Sequence, residues 1–274
     1  MKYPPPKKDE IQWSVVIPYY NEEDYLPNTL ESLKRQSIGK FKLILVNNGS
    51  TDGSLEICRK HLDGRERIET IYLDEANPGQ VHALETGIKA ADTEFVAICD
   101  ADTYYPRDYL QTASDIFKKS SPAVVAVMAA SVTGDGNSLG GQLQRLKTYL
   151  VAQVFRGQLH TGGYAHAFRT DVLKLAGGYS KELWPYVIKD HEMMHRVFKF
   201  GRAKYSYNHW CQASDRRSDR TDVRWTLFER ILYHVTPYAM KDWFFYTFLT
   251  KRFEARQMNE LKLRDRSWDA NAEN

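Results

Sequence analysis

The sequence is poor in cysteine and contains no long apolar run. Its three cysteines, Cys58, Cys99 and Cys211, are spread over 274 residues. Their odd number and wide spacing argue against a disulfide framework or a CxxC zinc site, and they favour a reducing compartment. No stretch approaches the roughly 18 apolar residues of a membrane-spanning helix. The N-terminal residues are polar and proline-rich, without the apolar centre of a signal peptide, so we expect none.

A strong excess of one charge is also missing. The chain has 38 Lys and Arg against 35 Asp and Glu, a net charge of +3. This balance gives no reason to expect a nucleic-acid partner. The composition, 42% hydrophobic and 27% charged, is that of an ordinary globular protein without internal repeats. The length allows one large domain or two small ones, with a sizeable core.

Short apolar runs alternate with helical patterns through the first half. We predict strands at 14–17, 41–46, 68–73, 94–99 and 123–130. Continuous apolar strands joined by helices indicate a parallel sheet that is covered on both faces. The predicted fold class is therefore α/β, with a mostly parallel sheet flanked by helices.

Polar residues cluster where these strands end. Three such segments are Pro18 to Glu22, Asn47 to Asp52, and Asp100 to Asp102. Ligands of open α/β sheets bind beyond the carboxyl ends of the strands. The three segments therefore predict one binding site at that edge of the sheet.

Two carboxylates directly follow the apolar run 95–99. If the strand continued, Asp100 and Asp102 would face the same side, with Ala101 turned away. Two convergent carboxylates suit a hard divalent cation such as Mg²⁺ or Mn²⁺. The simpler alternative is a solvated acidic turn, which a motif this short does not exclude.

The second half is less regular. It contains a predicted loop at 133–141, an amphipathic helix at 142–156 and a helix at 189–200. The segment 221–255 is aromatic-rich and predicted helical, with a break near Pro237.

Six motifs in order resemble the family 2 glycosyltransferases of the GT-A fold. They are VVIPYYNE, LILVNNGSTDGS, NPGQVHALETGIKAA, FVAICDADTYYP, TGGYAHAFRTDVLKLAGGYSKEL and KDHEMMHR. The resemblance covers roughly residues 13–217. It implies a GT-A, Rossmann-like domain with a nucleotide-sugar-binding half at 13–130 and an acceptor-binding, catalytic half at 131–217. A flexible segment, 1–12, precedes the domain, and an aromatic-rich helical extension, 218–274, follows it.

The resemblance also implies a donor site. Asn48 belongs to a pair, with Asn47, that replaces the acids usual in the family, so contact with the base edge is altered. Gln80 stands where a basic residue is frequent, which weakens any phosphate contact. The predicted nucleotide or donor contacts are Pro18, Tyr20, Glu22, Asn48, Asn77, Gln80, Asp100, Ala101, Arg216 and Arg217. The two arginines have an alternative role in a solvated loop.

Metal and base residues follow from the same resemblance. Asp102 corresponds to the direct metal ligand, Asp100 supports it, and His209 is a further candidate, with a core or surface histidine as the alternative. Asp190 corresponds to the general base. Lys189 replaces an acid of the motif, and its charge would lower the pKa of Asp190.

The acceptor side is implied to contain Gly162, Gly163, His191 and Glu192. Glu192 has an alternative structural role, because Arg196 lies four residues further along the same predicted helix.

The implied reaction is inverting transfer of a sugar, of hexosyl type, from a UDP- or GDP-sugar to a hydroxyl of a carbohydrate or lipid-linked acceptor. Mn²⁺ or Mg²⁺ is the expected cofactor, and the expected pathway is glycan or glycolipid biosynthesis of the polysaccharide or lipopolysaccharide type. Two other functions stay open. A nucleotidyltransferase would usually have a basic, glycine-rich loop after the first strand, where this chain has the acidic PYYNEED. A non-catalytic sugar-nucleotide binder would have no need of the three acids together.

The aromatic extension raises the question of a membrane. It mixes Trp, Tyr and Phe with Lys and Arg, as amphipathic interfacial helices do. Alternatively, these aromatics pack on the catalytic domain or on a second subunit. We expect a cytoplasmic protein, with peripheral contact at the inner face of the membrane as an option.

Overall fold

A computed structural model describes residues 11–155, 157–214 and 225–259. The first half alternates strands with helices. Its elements are β1 (Trp13–Tyr19), α1 (Leu26–Lys34), β2 (Phe41–Asn47), α2 (Ser54–Leu62), β3 (Ile68–Asp74), α3 (Gln80–Ala90), β4 (Phe95–Ile98), β5 (Thr103–Tyr104), α4 (Tyr109–Lys118) and β6 (Val124–Val132).

The second half is richer in helix. Its elements are α5 (Leu139–Val154), a 3₁₀ turn (Gly163–Ala165), β7 (His166–Arg169), α6 (Thr170–Leu175), α7 (Lys189–Phe198), β8 (Arg202–Ala213), α8 (Leu227–Val235), a 3₁₀ turn (Tyr238–Met240), α9 (Lys241–Trp243), a π-helical segment (Phe244–Leu249) and α10 (Thr250–Ala255).

The described strands form one sheet in the order β3-β2-β1-β4-β7-β6-β8-β5. Strands β1 to β4 pair in parallel, and so do β6 and β8. Strand β7 runs antiparallel to both of its neighbours, β4 and β6. Its reversed direction brings the start of β7 to the edge where β4 ends, and this is the edge that holds the site.

The alternation of side chains along each strand builds two cores. On β1, Val15 and Ile17 face the core formed with α1, α2 and α4, whereas Val16 faces the core formed with α3, α6 and α7. Helix α3 lies very close to the sheet, because a Cβ placed on Gly87 would approach Val16 Cγ1 to 2.4 Å. This double cover confirms the predicted helix–sheet–helix arrangement and the GT-A fold class.

A third, aromatic core lies in the C-terminal part of the described chain. Phe244, Phe245 and Phe253 are fully buried and pack with Trp184, which precedes α7. The rings of Trp184 and Phe245 meet edge to face, with centroids 5.8 Å apart. These aromatics therefore pack against the segment before α7, which agrees with the packing alternative for the extension.

Strand β8 was not predicted. Its sequence, RAKYSYNHWCQA, alternates irregularly, and its pairing with β6 contains register shifts at Val124/Ala126 and at Met128/Ala130. Such irregularities break the period of two on which strand prediction depends. Among the described residues, no helix combines the length and the apolar character that a membrane crossing requires.

Candidate functional site

The candidate site lies at the edge where β1, β2 and β4 end and β7 begins. Ile98, the last residue of β4, pairs with His166, the first residue of β7. Asp100 follows Ile98 by two residues, and Gly163 precedes His166 by three. The acidic turn and the glycine turn therefore meet at the same edge.

A buried tyrosine joins these two turns. Tyr105 is fully buried, and its Oη accepts a hydrogen bond from Asp100 N at 2.9 Å. The same hydroxyl donates to the backbone oxygen of Tyr164 at 3.1 Å. The Asp100 carboxylate is half-buried and accepts from Gln80 Nε2 at 3.2 Å. Asp100 is thus held between the start of α3 and the glycine turn.

Asp102 lies deeper than Asp100. It is 6% exposed, and its Oδ2 accepts a hydrogen bond from Ser214 Oγ at 2.9 Å. Residues 99–102 form a turn and do not continue β4, so the expectation that both acids share one strand face does not apply. Thr29 of α1 fixes this turn, because its Oγ1 donates to Ala101 O at 2.7 Å.

Both oxygens of the Asp190 carboxylate are hydrogen-bonded. Gly163 N donates to Oδ2 and Tyr179 Oη donates to Oδ1, each at 2.9 Å. Burial raises the pKa of Asp190, but His166, Lys189 and these two donors outweigh burial and leave the pKa below its usual value. The carboxylate is therefore ionised at neutral pH and keeps lone pairs to accept a further proton.

Only glycine fits at position 163, beside Asp190 and Tyr179. A Cβ on Gly163 would lie 2.5 Å from Asp190 Oδ1 and 2.8 Å from Tyr179 Oη. Real Cβ atoms do not approach other atoms so closely, so the missing side chain is what allows the backbone N–H of Gly163 to reach the carboxylate.

Asp100 and Asp190 share electrostatic surroundings. The negative charges of both act on the buried side chains of His166 and Tyr179. Burial lowers the pKa of His166, so the imidazole is neutral at neutral pH despite these two acids. The hydrogen bonds of the glycine turn bring both acids to the same edge of the sheet.

The start of α7 positions Asp190. The carboxylate is in the first turn of the helix, where the helix dipole favours a negative charge. Ile188, two residues before Asp190, has a left-handed backbone with φ of 64°, which is strained for a β-branched residue. Its neighbour Val187 donates a backbone hydrogen bond to Met258 O at 3.0 Å. The C-terminal aromatic core thus supports the segment that aims Asp190.

On the donor side, Asn48 has a different role from the predicted one. Its Nδ2 donates to Glu75 O and to Asn77 O, at 3.0 and 2.7 Å, and its Oδ1 accepts from Gly79 N at 2.8 Å. These bonds hold the loop in front of α3, and they occupy both donors of the amide. Asn48 shapes this wall of the cleft and does not present its amide to a base.

The other predicted donor residues lie around the same edge. Pro18 is buried within β1, Tyr20 is exposed just after it, and Glu22 is half-buried. Asn77 and Gln80 are exposed beside the start of α3. Arg216 and Arg217 lie outside the described residues.

On the acceptor side, Gly162 and Gly163 border Asp190, but Glu192 does not face the cleft. Glu192 is 1% exposed and forms a two-pronged ion pair with Arg196, with Nε–Oε1 and Nη2–Oε2 distances of 2.7 and 2.9 Å. Its predicted acceptor role is therefore corrected to the structural alternative. His191 packs its ring against Trp225, and burial lowers its pKa to about 4.

His209 is not brought to the acids. It is fully buried with its ring against Tyr109, at a centroid distance of 4.5 Å, and neither ring nitrogen has a hydrogen-bond partner within the described chain. Burial alone lowers its pKa to about 3. Over the same residues, no cluster of three or more His, Cys, Asp or Glu side chains could hold a metal. The predicted metal role of His209 is corrected to that of a core residue.

Two residues of the site, Tyr105 and Tyr179, were missed from the sequence. Each resembles an aromatic core position. Tyr105 bonds Tyr164 across 59 residues and Tyr179 bonds Asp190 across 11, and no local pattern reveals these partners.

Comparison with known proteins identifies the family. The model of Glycosyl transferase family 2 matches residues 14–175, more than half of the chain. The chain belongs to glycosyl transferase family 2.

A curated relative of this family 2 chain is the putative teichuronic acid biosynthesis glycosyltransferase TuaG of Bacillus subtilis (strain 168). The two are 31% identical over 126 residues, which are 46% of this chain and 50% of TuaG. Two further curated relatives are covered to 14% and 48% of their lengths. The chain therefore spans half, or less, of these relatives.

Solved structures share the fold of this family 2 chain. S. aureus TarS 1-349 in complex with UDP-GlcNAc superposes with a TM-score of 0.60 at 18% identity, covering 95% of this chain and 78% of TarS 1-349. The mannosyltransferase PcManGT from Pyrobaculum calidifontis, in complex with GDP-Man and Mn²⁺, gives 0.61 at 22% identity, covering 85% and 64%. At these identities, the likeness establishes the fold alone.

Proposed function

We propose that this chain transfers a sugar from a nucleoside-diphosphate sugar to an acceptor hydroxyl, with inversion and with Asp190 as general base. The observation that carries the proposal is the position of Asp190. Its ionised carboxylate is fixed by Tyr179 and Gly163, and Tyr105 links this glycine turn to Asp100. Family membership supports the reaction class, and the TarS and PcManGT complexes support a UDP- or GDP-sugar donor.

The donor set at the end of β4 fits a divalent cation. Asp100 and Asp102 offer carboxylate oxygens, the ligands that Mg²⁺ and Mn²⁺ prefer, and both lie in the turn that follows β4. With no third protein ligand among the described residues, diphosphate oxygens and water would complete the shell. When bound, the cation would neutralise the charge that develops on the leaving diphosphate. The Mn²⁺ complex of PcManGT supports the same assignment.

The residues of this chain handle the proton. An acceptor hydroxyl bound beside the glycine turn donates a hydrogen bond to Asp190. The carboxylate then takes the hydroxyl proton as the oxygen attacks the anomeric carbon on the side opposite the diphosphate. Tyr179 and Gly163 keep the carboxylate oriented through both states. One displacement inverts the anomeric configuration, and no enzyme nucleophile is required.

The acceptor and the location belong to the same proposal. We place the chain in the synthesis of a cell-surface polysaccharide or glycolipid, on the cytoplasmic side, with peripheral membrane contact through its C-terminal segment. The relation to TuaG supports a polysaccharide pathway. Among the predicted units, the nucleotide-sugar half at 13–130 would hold the donor, and the half at 131–217 would hold the acceptor.

A donor panel tests the function. UDP- and GDP-sugars are incubated with the protein and Mn²⁺ or Mg²⁺, and the released nucleotide is measured. We expect a nucleoside diphosphate with one donor and no activity after treatment with EDTA. Asp190→Asn should bind the donor normally and lose about 10²-fold or more in transfer, the usual contribution of a general base.

The control is Asp108→Asn, an exposed carboxylate at the start of α4 that should leave the rate unchanged. Full transfer by Asp190→Asn would remove this residue from the mechanism. Release of pyrophosphate would identify a nucleotidyltransferase. Saturable donor binding without turnover, across donors and acceptors, would indicate a non-catalytic binder.

A further inference from the structure

Helix α5 exposes its apolar side. Its buried residues are Gly141, Arg145 and Ala152. The opposite side of the helix is a stripe of exposed aliphatic side chains at spacings of three and four: Leu139, Leu143, Leu146, Leu150 and Val154. The first and last of them, Leu139 and Val154, are 76% and 74% exposed. An amphipathic helix of a soluble domain normally has the reverse orientation.

Helix α8 repeats this inversion. It buries Glu229 and Tyr233 and exposes an aliphatic and aromatic face, with Leu227 at 73% and Val235 at 66% exposure. The other exposed members of that face are Phe228 and Ile231. A capping box between Thr226 and Glu229 fixes the start of the helix.

The two helices meet at their C-terminal ends. The ring of Phe155, next to the end of α5, lies 5.7 Å from the ring of His234 on α8. Gln158 Nε2 donates to His234 O at 3.1 Å. The two exposed faces are therefore neighbours at their C-terminal ends. We name this surface the α5–α8 face, formed by Leu139, Leu143, Leu146, Leu150, Val154, Leu227, Phe228, Ile231 and Val235.

The rest of this chain offers little to cover the face. Residues 1–10 are mostly polar or proline, and residues 215–224 contain one large aliphatic side chain, Val223. Residues 260–274 contain Leu261, Leu263 and Trp268 among ten polar or charged residues and two alanines. An exposed apolar surface of nine side chains marks an interaction site.

The charges around the face are positive. Helix α5 has no acidic residue, and its exposed charged residue is Lys147. On α8 the single acid, Glu229, is fully buried and paired with Arg252 and Arg256, while Arg230 is exposed. Apolar side chains flanked by cations fit an anionic lipid surface, in which acyl chains lie beneath negative headgroups.

A groove beside α5 has the same charge. Its volume is about 640 Å³, and its wall includes Ala152 and Gln153 of α5. All charged side chains in the groove wall are cations, namely Lys119, Arg202 and Lys204. The groove therefore adds cations beside the C-terminal half of α5.

We propose that the α5–α8 face lies on an anionic membrane, with its aliphatic side chains among the acyl chains and Lys147 and Arg230 at the phosphates. This inference deepens the peripheral contact within the proposed function, since it names the surface and adds α5, which is outside the C-terminal segment. It does not depend on the transfer reaction.

Vesicle flotation tests the proposal. The full chain is mixed with vesicles of phosphatidylcholine alone or of equal parts phosphatidylcholine and phosphatidylglycerol. We expect flotation with the anionic vesicles and little with the neutral ones. The triple variant Leu143→Ser, Leu150→Ser, Ile231→Ser should lose about a thousandfold in partitioning, since each large aliphatic side chain contributes about tenfold. Lys147→Glu with Arg230→Glu should abolish the preference for anionic lipid.

The control is Leu175→Ser, which replaces an aliphatic residue that is 70% exposed on α6, outside the face. It should float as the unmodified chain does. Failure of the unmodified chain to float, or undiminished flotation of the triple variant, would overturn the proposal. So would a stable dimer in analytical ultracentrifugation that the triple variant dissociates, because a second copy would then cover the face. Donor turnover is measured without vesicles, so loss of the sugar-transfer proposal and loss of this one are distinguishable.

Discussion

At the residue scale, the buried Asp190 carboxylate is stabilised by hydrogen-bond donors to both of its oxygens. Asp190 receives one hydrogen bond from Tyr179 Oη and one from Gly163 N. Donors to the charged form favour ionisation, which offsets the cost of burial. The same bonds also fix the direction of the carboxylate, so charge and orientation have one structural cause.

The first prediction concerns Tyr179→Phe. The variant removes a donor to the charged form of Asp190, so the pKa of Asp190 should rise, since a hydrogen bond to a charged group stabilises that form by about 1.5–3 kcal/mol. A base is active when deprotonated. The acid limb of kcat/KM against pH should therefore move to higher pH.

The matched control is Tyr186→Phe. The Tyr186 hydroxyl donates to the exposed Glu254, and not to Asp190 or to the glycine turn. Its pH profile should coincide with that of the unmodified chain. An acid limb that stays in place in Tyr179→Phe would show that the hydroxyl does not tune the base.

The positions of the site residues were predictable only where a motif carries them. Asp190 and the acids of the β4 turn follow from their place in ordered motifs. Asn48 was expected to contact the nucleotide base, but its amide is hydrogen-bonded to the loop at 75–79, which lies 27–31 residues further along the chain. Local sequence does not encode such distant partners, and for the same reason Tyr179 was overlooked.

At the element scale, α7 is anchored by a buried ion pair. Arg196 binds Glu192 within the helix and also donates to the backbone oxygens of Ala176 and Gly178. Tyr246 of the π-helical segment donates to the same Glu192. The ion pair of Glu192 with Arg196 thus connects α7, the turn at residues 176–178 and the aromatic core.

The second prediction is that Glu192→Gln destabilises the fold by about 3 kcal/mol, because it leaves a buried guanidinium without its counter-charge. Urea unfolding followed by circular dichroism measures the loss. The matched control is Glu254→Gln, whose carboxylate is exposed and should change stability by less than about 0.5 kcal/mol. A Glu192→Gln variant as stable as the control would contradict the anchoring role.

Elements with a regular period were predictable, and those without one were not. Strands β1 to β4 are short apolar runs between turns, and the structure has them within a few residues of the prediction. Strand β8 was missed because its bulges break the alternation. The amphipathic pattern of α5 was recognised, but sequence alone assigns an apolar stripe to the core, whereas this one faces outward.

At the scale of the whole molecule, buried neutral histidines make the fold sensitive to acid. Burial lowers the pKa of His209 to about 3, while an unfolded histidine titrates near pH 6.5. Between these values the unfolded chain binds a proton that the folded chain does not. The contribution to stability is therefore complete above about pH 6.5 and declines as the pH falls, by about 1.4 kcal/mol per unit.

The third prediction is that His209→Leu reduces this acid sensitivity by close to one proton. The substitution also removes two ring nitrogens that lack partners, so stability at pH 7 should rise by about 1 kcal/mol. Urea unfolding between pH 7 and pH 4 measures both effects. An unchanged slope would contradict the neutral core assignment, and loss of Mn²⁺-dependent turnover in a folded variant would restore His209 as a ligand candidate.

The hydrogen bond from Val187 to Met258 has a consequence for how this polypeptide is divided. The family model matches residues 14–175, yet the proposed base is Asp190, and Val187, beside the strained Ile188, is bonded to Met258. A fragment trimmed to the matched residues would lose the base itself, and one trimmed to the end of β8 would lose the support that Met258 gives. The working unit therefore extends well past the residues that the family model matches.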